Sequence, residues 1–367
     1  LVQRAVAASP RPIFHSWRRP EGVQATVVEG SDWAACAAAE LPGGEKVVFY
    51  VAGSGGSSSA TDPANLDTTR YVGLVADIVG RSLAVRRLEE WETRFEHFFS
   101  RRVVESLLSG SDLRALEPKL AESTVMFFDI RGFSKLTELG QDGMMAFQEK
   151  LRAVMTGMTD EILKEEGVVL QYMGDGILAC WNVPQPAADH VDRACRAALK
   201  MTLRLAAIDP ALRCGIGLHT GRVVAGTIGS DQIFAYGLIG TVINQASRIE
   251  GITKLVGAPV IATKEVAELL SPASGIAATP LGVFRPAGMT ADLKLYEIAA
   301  GPAEPRRYAA FELAAVSLAK EEWEEAAKTL AWLPPSDAAA RYLSGFAEKC
   351  RKNPPKNWRG VIELSEK

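Results

Sequence analysis

From about residue 116 to residue 300, short apolar runs alternate with stretches of helical period. That alternation restricts the region to a layered fold of sheet and helix. Thr124-Val125-Met126-Phe127-Phe128 reads as a strand running into Asp129. Met144, Phe147, Leu151, Val154, Met158 and Ile162 then step by 3-4-3-4-4, which is one face of a helix. Val168–Trp181 reads as two strands about the tight turn Gly174-Asp175-Gly176. Val191, Ala194, Ala198, Met201 and Leu205 step 3-4-3-4 as a second helix. Leu212, Cys214, Ile216 and Leu218 alternate, which predicts a half-buried strand. A strand over 233–239, a helix from about Thr241, and strands near Val260, Val283 and Leu295 complete the region.

Residues 1–85 read as an α/β unit. Lys46–Val51 is a buried-type strand entered through Pro42-Gly43-Gly44, and Gly53–Asp67 is a Gly/Ser-rich loop. A helix is expected from near Thr68, with no proline through Val104. Leu74, Ile78, Val85, Leu88, Phe95 and Phe98 fall at heptad-like spacing, interrupted by Arg81 and Glu92. Two readings stand: a parallel coiled coil between two copies of the chain, or a helix packed on its own domain. Residues 86–115 then form a helical linker. Residues 301–367 are helical again, with amphipathic stretches Tyr308–Leu330 and Ala338–Cys350 around Pro334-Pro335. This segment resembles a tetratricopeptide-type hairpin. One such hairpin cannot bury its own face, so it docks on the preceding domain or on a partner.

Composition excludes several classes. Lys and Arg total 41 against 44 Asp and Glu, a net charge of −3, so no field draws the chain onto nucleic acid. Tyr71–Val79 is broken by Asp77 and too short to span a bilayer, and residues 1–25 hold no apolar signal block. A cytoplasmic location is expected. The first residue is Leu1 rather than Met, so an excised fragment lacking an upstream sensor segment is expected too. The five cysteines form no CxxC pair and the four histidines no HxxxH, so reduced thiols and no transition-metal site follow.

Two carboxylates stand out. Asp129 ends an apolar strand, and Asp175 sits in a hairpin turn between glycines. Either one alone reads as a turn former. Together, on neighbouring strand ends, they are what Mg²⁺ needs, since Mg²⁺ takes one or two carboxylates plus substrate phosphates. Gly132 leaves backbone N–H groups free to approach a phosphate. Asn244 and Arg248, four apart on a helix, share a face and suit an anionic transition state; from spacing alone a solvated surface face explains them as well.

Four segments in order resemble the signatures of class III nucleotidyl cyclases: Phe127-Phe128-Asp129-Ile130-Arg131-Gly132-Phe133, Met173-Gly174-Asp175-Gly176, Gly215–Gly229, and Gly240–Arg248. The resemblance covers 116–300. Phe98–Glu105 is similar to the helical transducer that precedes bacterial cyclase domains, and residues 30–85 resemble, more loosely, the later half of a GAF sensor domain. The fold implied is α+β: a ferredoxin-like βαββαβ cyclase domain with flanking helices, a partial GAF-like unit and a coiled-coil helix before it. The activity implied is ATP to 3′,5′-cyclic AMP and pyrophosphate in a homodimer with shared active sites, gated by the N-terminal sensor. The resemblance places two Mg²⁺ ions, or Mn²⁺ in substitution, at Asp129, Ile130 and Asp175 of one chain. Asn244 and Arg248 come from the other chain, to orient the ribose and neutralise the α-phosphate. Gly132, Phe133 and Arg222 fall at substrate-binding positions; Arg222 reads equally as a surface arginine. Departures are Gln171 where adenylate cyclases carry a base-reading lysine, Gly237 where its Asp or Thr partner stands, and Ala287 in place of a phosphate-holding lysine. Arg285 or Arg222 is expected to cover part of the last loss. Gln171 and Gly237 imply weak base selectivity, and a guanylate cyclase lacks its acidic residue at Gln171. The rival reading is a non-catalytic cyclase-like module that binds nucleotide or a partner.

Overall fold

The computed structural model describes residues 7, 11–16, 31–41, 46–55, 59–96, 117–132, 141–230 and 234–364. They fall into two compact units, within Leu1–Phe99 and within Ser100–Lys367. No helix among the described residues is long and apolar enough to cross a membrane.

The first unit is a three-stranded antiparallel sheet, β1 (Ile13–Ser16), β2 (Trp33–Glu40) and β3 (Lys46–Gly53), in that order, with helix α1 (Pro63–Glu96). The buried strand is β2, not β3. Its run of alanines is enclosed while Tyr50 on β3 is 60% exposed. An alanine run lacks the β-branched signal of a strand, so the sequence hid it. Small residues bring the helix close: a Cβ on Gly80 would lie 2.5 Å from that of Ala39. Val72 and Ala76 pack on Ala35, Ala37 and Ala39. The helix starts at Pro63, earlier than Thr68. Asp62 caps it by accepting from the Ala64 N–H at 3.0 Å, and proline at the first position forfeits no hydrogen bond. Leu74, Ile78 and Val85 are 59, 55 and 55% exposed, so packing on its own sheet uses a different face from the heptad-like seam. The side chains of Leu88 and Phe95, and residues 97–116, lie outside the description. The expected boundary at 85/86 falls inside α1.

The second unit begins β4 (Lys119–Ile130), α2 (Gln141–Lys164), β5 (Val168–Met173), β6 (Gly176–Trp181), α3 (His190–Ile208), β7 (Cys214–Gly229). The strand order is β7-β4-β6-β5 with antiparallel neighbours, the ferredoxin-like arrangement. Next come β8 (Phe234–Ile239), α4 (Thr241–Val256), β9 (Val260–Thr263), α5 (Lys264–Leu269), β10 (Ile276–Arg285) and β11 (Leu293–Ala300). Strand β8 pairs with the far half of β7, and β9, β11 and β10 extend the sheet on the β7 side. Val154, Met158 and Ile162 of α2 and Val191, Ala194, Met201 and Leu205 of α3 interlock with Met126, Phe128, Ile130, Ile216 and Leu218. This is the expected pair of helix faces; the side chains of Met144 and Phe147 lie outside the description. Strand β7 is buried on both faces from Cys214 to Thr220 rather than half-buried, because α4 packs on its second face.

The helix expected over 308–330 is two, α6 (Pro305–Ala319) and α7 (Trp323–Ala331), parted at Glu321 with φ +64°. They are followed by α8 (Ala338–Lys352) and β12 (Val361–Glu363), which adds parallel to β10. Phe311, Leu330 and Leu343 share a core with Ile249, Ile252 and Val256 of α4 and with Phe284. The extension thus buries its apolar face on the preceding domain.

Candidate active site

Side chains alternate along a strand. Met126, Phe128 and Ile130 enter the core under α2 and α3, so Asp129 and Arg131 face the α4 side. Asp129 stands opposite Gly176 on β6 and Gly215 on β7. Gly176 follows the two-residue loop Gly174-Asp175, where Gly174 has φ +62°, the conformation that a tight hairpin demands at its first loop position. A Cβ on Gly176 would lie 3.7 Å from Asp129 Oδ1. The hairpin therefore delivers Asp175 to the end of β4. Burial, and then the charge of Asp175, push the Asp129 pKa above the usual carboxylate range, with Arg131 opposing. A half-buried carboxylate beside a second negative charge attracts a cation. No cluster of three or more His, Cys, Asp or Glu occurs among the described residues. Two hard oxygens fit Mg²⁺ or Mn²⁺ rather than zinc. The Ile130 side chain is in the core, leaving only its main-chain oxygen for an ion. Gly132 has φ +73° and open space where a side chain would stand. Phe133 lies outside the described residues.

Arg131 crosses from the sheet to α4. Its Nη2 donates to the Glu250 carbonyl at 3.0 Å and to the Thr253 hydroxyl. Its Nη1 lies 2.7 Å from Glu250 Oε1 and 3.8 Å from Asp129 Oδ2. The path exists because Gly215 has no side chain; a Cβ there would collide with the guanidinium and with Thr253 Oγ1. At Gly217 a Cβ would collide with the α4 backbone at Ala246 and Glu250. Burial pushes the Glu250 carboxyl up to about 7; Arg131 pulls it down, while Asp129 and Asp175 add to the rise. This Arg131–Glu250–Thr253 link was not singled out from the sequence. Its signal was the Gly215-Ile216-Gly217 pattern, which marks a backbone that another element must approach.

Helix α4 lies along β7, with Val242 over Gly221, Ala246 and Glu250 over Gly217, and Thr253 over Gly215. Asn244 is exposed in the first turn, about 13 Å along the axis from Thr253. Arg222 is exposed opposite Glu122, roughly 23 Å along β7 from Gly215. Gly237 pairs with Gly226 on the same distant part of β7. Gln171 is exposed on β5, just past a bulge. One chain therefore joins Asp129 and Asp175, and leaves Asn244, Arg222 and Gly237 well away from them. Arg248 lines a cleft of about 300 Å³ with Ser247, Pro286 and Ala287, and a Cβ on Gly288 would lie 3.8 Å from its Nη2. Arg285 does not cover the charge missing at Ala287. Its Nε donates to Asp292 and its Nη1 to Glu363, each at 2.7 Å.

Residues 117–298 match the family described as the adenylate and guanylate cyclase catalytic domain. They form a class III cyclase domain. The chain is 26% identical over 245 residues to "Adenylate cyclase 1" of Rhizobium meliloti, covering 64% of this chain and 35% of that protein. It is 28% identical over 205 residues to "Adenylate cyclase" of Anabaena cylindrica, covering 52% and 39%. The chain thus spans little more than a third of the length of these curated relatives. In fold, the cyclase domain and its flanks resemble a bacterial light-regulated adenylyl cyclase, with a TM-score of 0.51, 22% identity, and 62% of this chain against 66% of that one.

Proposed function

We propose that the chain is an adenylate cyclase that converts ATP to 3′,5′-cyclic AMP and pyrophosphate in a homodimer with two shared sites. The observation that carries this reading is the separation along α4. Asp129 and Asp175 meet at one end of the sheet, while Asn244 of the same chain stands about 13 Å away along the helix from Thr253, so a second chain is needed to complete a site. Asp129, Asp175 and the main-chain oxygen of Ile130 would hold two Mg²⁺, or Mn²⁺ in substitution. Such ions, when bound, acidify a ribose hydroxyl and balance the charge of a departing pyrophosphate. Asn244 holds the ribose so that its 3′-oxygen points at the α-phosphate. Arg248 neutralises charge there through its planar guanidinium. Gly132 lets the main chain approach the phosphates, Phe133 is a further substrate-binding position, and Arg222 serves the terminal phosphates. Gln171 donates to and accepts from a purine edge through its amide, while Gly237 contributes only backbone. ATP is preferred over GTP by a modest margin. The chain acts in the cytoplasm, and the N-terminal unit gates the cyclase domain.

Ala287, with Arg285 already committed, favours a second reading in which the domain binds nucleotide without turnover. Incubation of the purified chain with ATP or GTP and Mg²⁺ or Mn²⁺, followed by chromatography, separates the two. Cyclic AMP as the main product supports the proposal; nucleotide recovered intact supports the second reading.

A further inference from the structure

We propose that Lys254 is a substrate-binding residue: its ammonium holds the polyphosphate beside Arg248, replacing from α4 the lysine absent at Ala287. This rests on the cyclase reading above. The cleft of about 300 Å³ runs between the outer face of α4 and the turn at Pro286-Ala287. Arg131, Arg248, Lys254 and a single carboxylate, Glu250, line it. Arg131 is engaged by the carboxylate and carbonyl of Glu250 and by Thr253. Glu250, four residues before Lys254, is the usual helical partner for such a lysine. Its carboxylate instead faces Arg131 at 2.7 Å. Neither Arg248 nor Lys254 has an ion pair with any described residue. The cleft therefore presents two uncommitted cations with a methyl group, Ala287, between its walls.

Two such cations call for an anion with more than one charged group. Arg248 and Lys254 are six residues apart, about 9 Å of helical rise, which their long side chains narrow to the span of a polyphosphate rather than one phosphate. Lys254 is exposed and holds no core contact, so its truncation leaves the fold intact.

The test is calorimetry on the full chain with Mg²⁺, using inorganic tripolyphosphate and adenosine as probes, beside the steady-state KM for ATP. Lys254→Ala is expected to weaken tripolyphosphate binding about tenfold or more, as loss of a charge-assisted contact does, and to leave adenosine binding unchanged. The KM for ATP rises by a similar factor while kcat changes less. Adding Ala287→Lys to Lys254→Ala restores both. Tripolyphosphate binding equal in wild type and Lys254→Ala overturns the assignment and leaves the cyclase reading standing. Equal weakening of adenosine overturns it as well, since that marks a general distortion. Wild type that binds neither tripolyphosphate nor ATP defeats the cyclase reading itself, and the role of Lys254 with it.

Discussion

The guanidinium of Arg131 reaches α4 through the space where Gly215 has no side chain. That passage ties the strand ending in Asp129 to the helix that carries Asn244 and Arg248. In a shared-site dimer these two ends serve different sites, so the Arg131–Glu250 pair links the two within one chain. The two glycines beneath α4 therefore differ in what they protect. At Gly215 the obstructed atoms are mainly the movable end of Arg131; at Gly217 they are helix backbone.

Gly217→Ala is expected to destabilise the cyclase domain more than Gly215→Ala. Overpacking costs about 1–3 kcal/mol where side chains yield, and more where backbone must move. Thermal unfolding of the two variants checks the order. Gly215→Ala, although the milder in stability, should still lower cyclase turnover by displacing Arg131.

Glu250 supplies a pH signature. Its carboxyl rises from the ordinary 4.5 to about 7 on folding. Between those values the folded chain holds a proton that the unfolded chain has released. Stability therefore falls as pH rises through this window. Glu250→Gln has nothing to titrate, so the difference between wild-type and variant unfolding free energies should slope between about pH 4.5 and 7 and be flat on either side. A difference that stays constant across the window contradicts the burial argument.

Asp129→Asn and Asp175→Asn are expected to abolish cyclic nucleotide formation and to leave the melting temperature of the metal-free chain equal or higher. Burial, and then the charge of Asp175, disfavour the ionised Asp129 carboxyl, and a neutral isostere removes both costs. Near wild-type turnover in either variant would remove the carboxylates from the proposed chemistry.

Much of this site could be read from residue order. The strand into Asp129, the turn at Asp175 and the helix from Thr241 are set by alternation, glycine and helical period, all local signals. What the sequence concealed is contact between distant segments. Gly215 reads as one more glycine until α4 lies over it. Arg285 reads as a spare cation until Asp292 and Glu363 are seen bonded to it. Strand β2 was hidden differently: its alanines have weak strand propensity and are held by α1 packing. The division of the C-terminal helix at Glu321 has no glycine or proline to announce it.

Base selectivity should respond to exposed Gln171 and half-buried Gly237. A Cβ at Gly237 meets the Ile228 side chain, its terminal methyl at 2.9 Å, and that methyl can swing aside. Gln171→Lys with Gly237→Asp is therefore expected to fold and to raise the ATP/GTP ratio of kcat/KM. The wild-type ratio should lie below ~10⁴, the range reached when a site pairs every polar atom of its substrate.

The shared site is the central claim, and complementation tests it most directly. Asp129→Ala and Arg248→Ala homodimers each have two dead sites under this account. In a mixed dimer one site inherits both lesions and the other inherits neither. Co-expression with two affinity tags, purification through both and assay of cyclic AMP should recover about half of wild-type turnover per dimer. Activity no higher than that of the single-variant homodimers would contradict the shared site and mean that all four residues act within one chain or not at all.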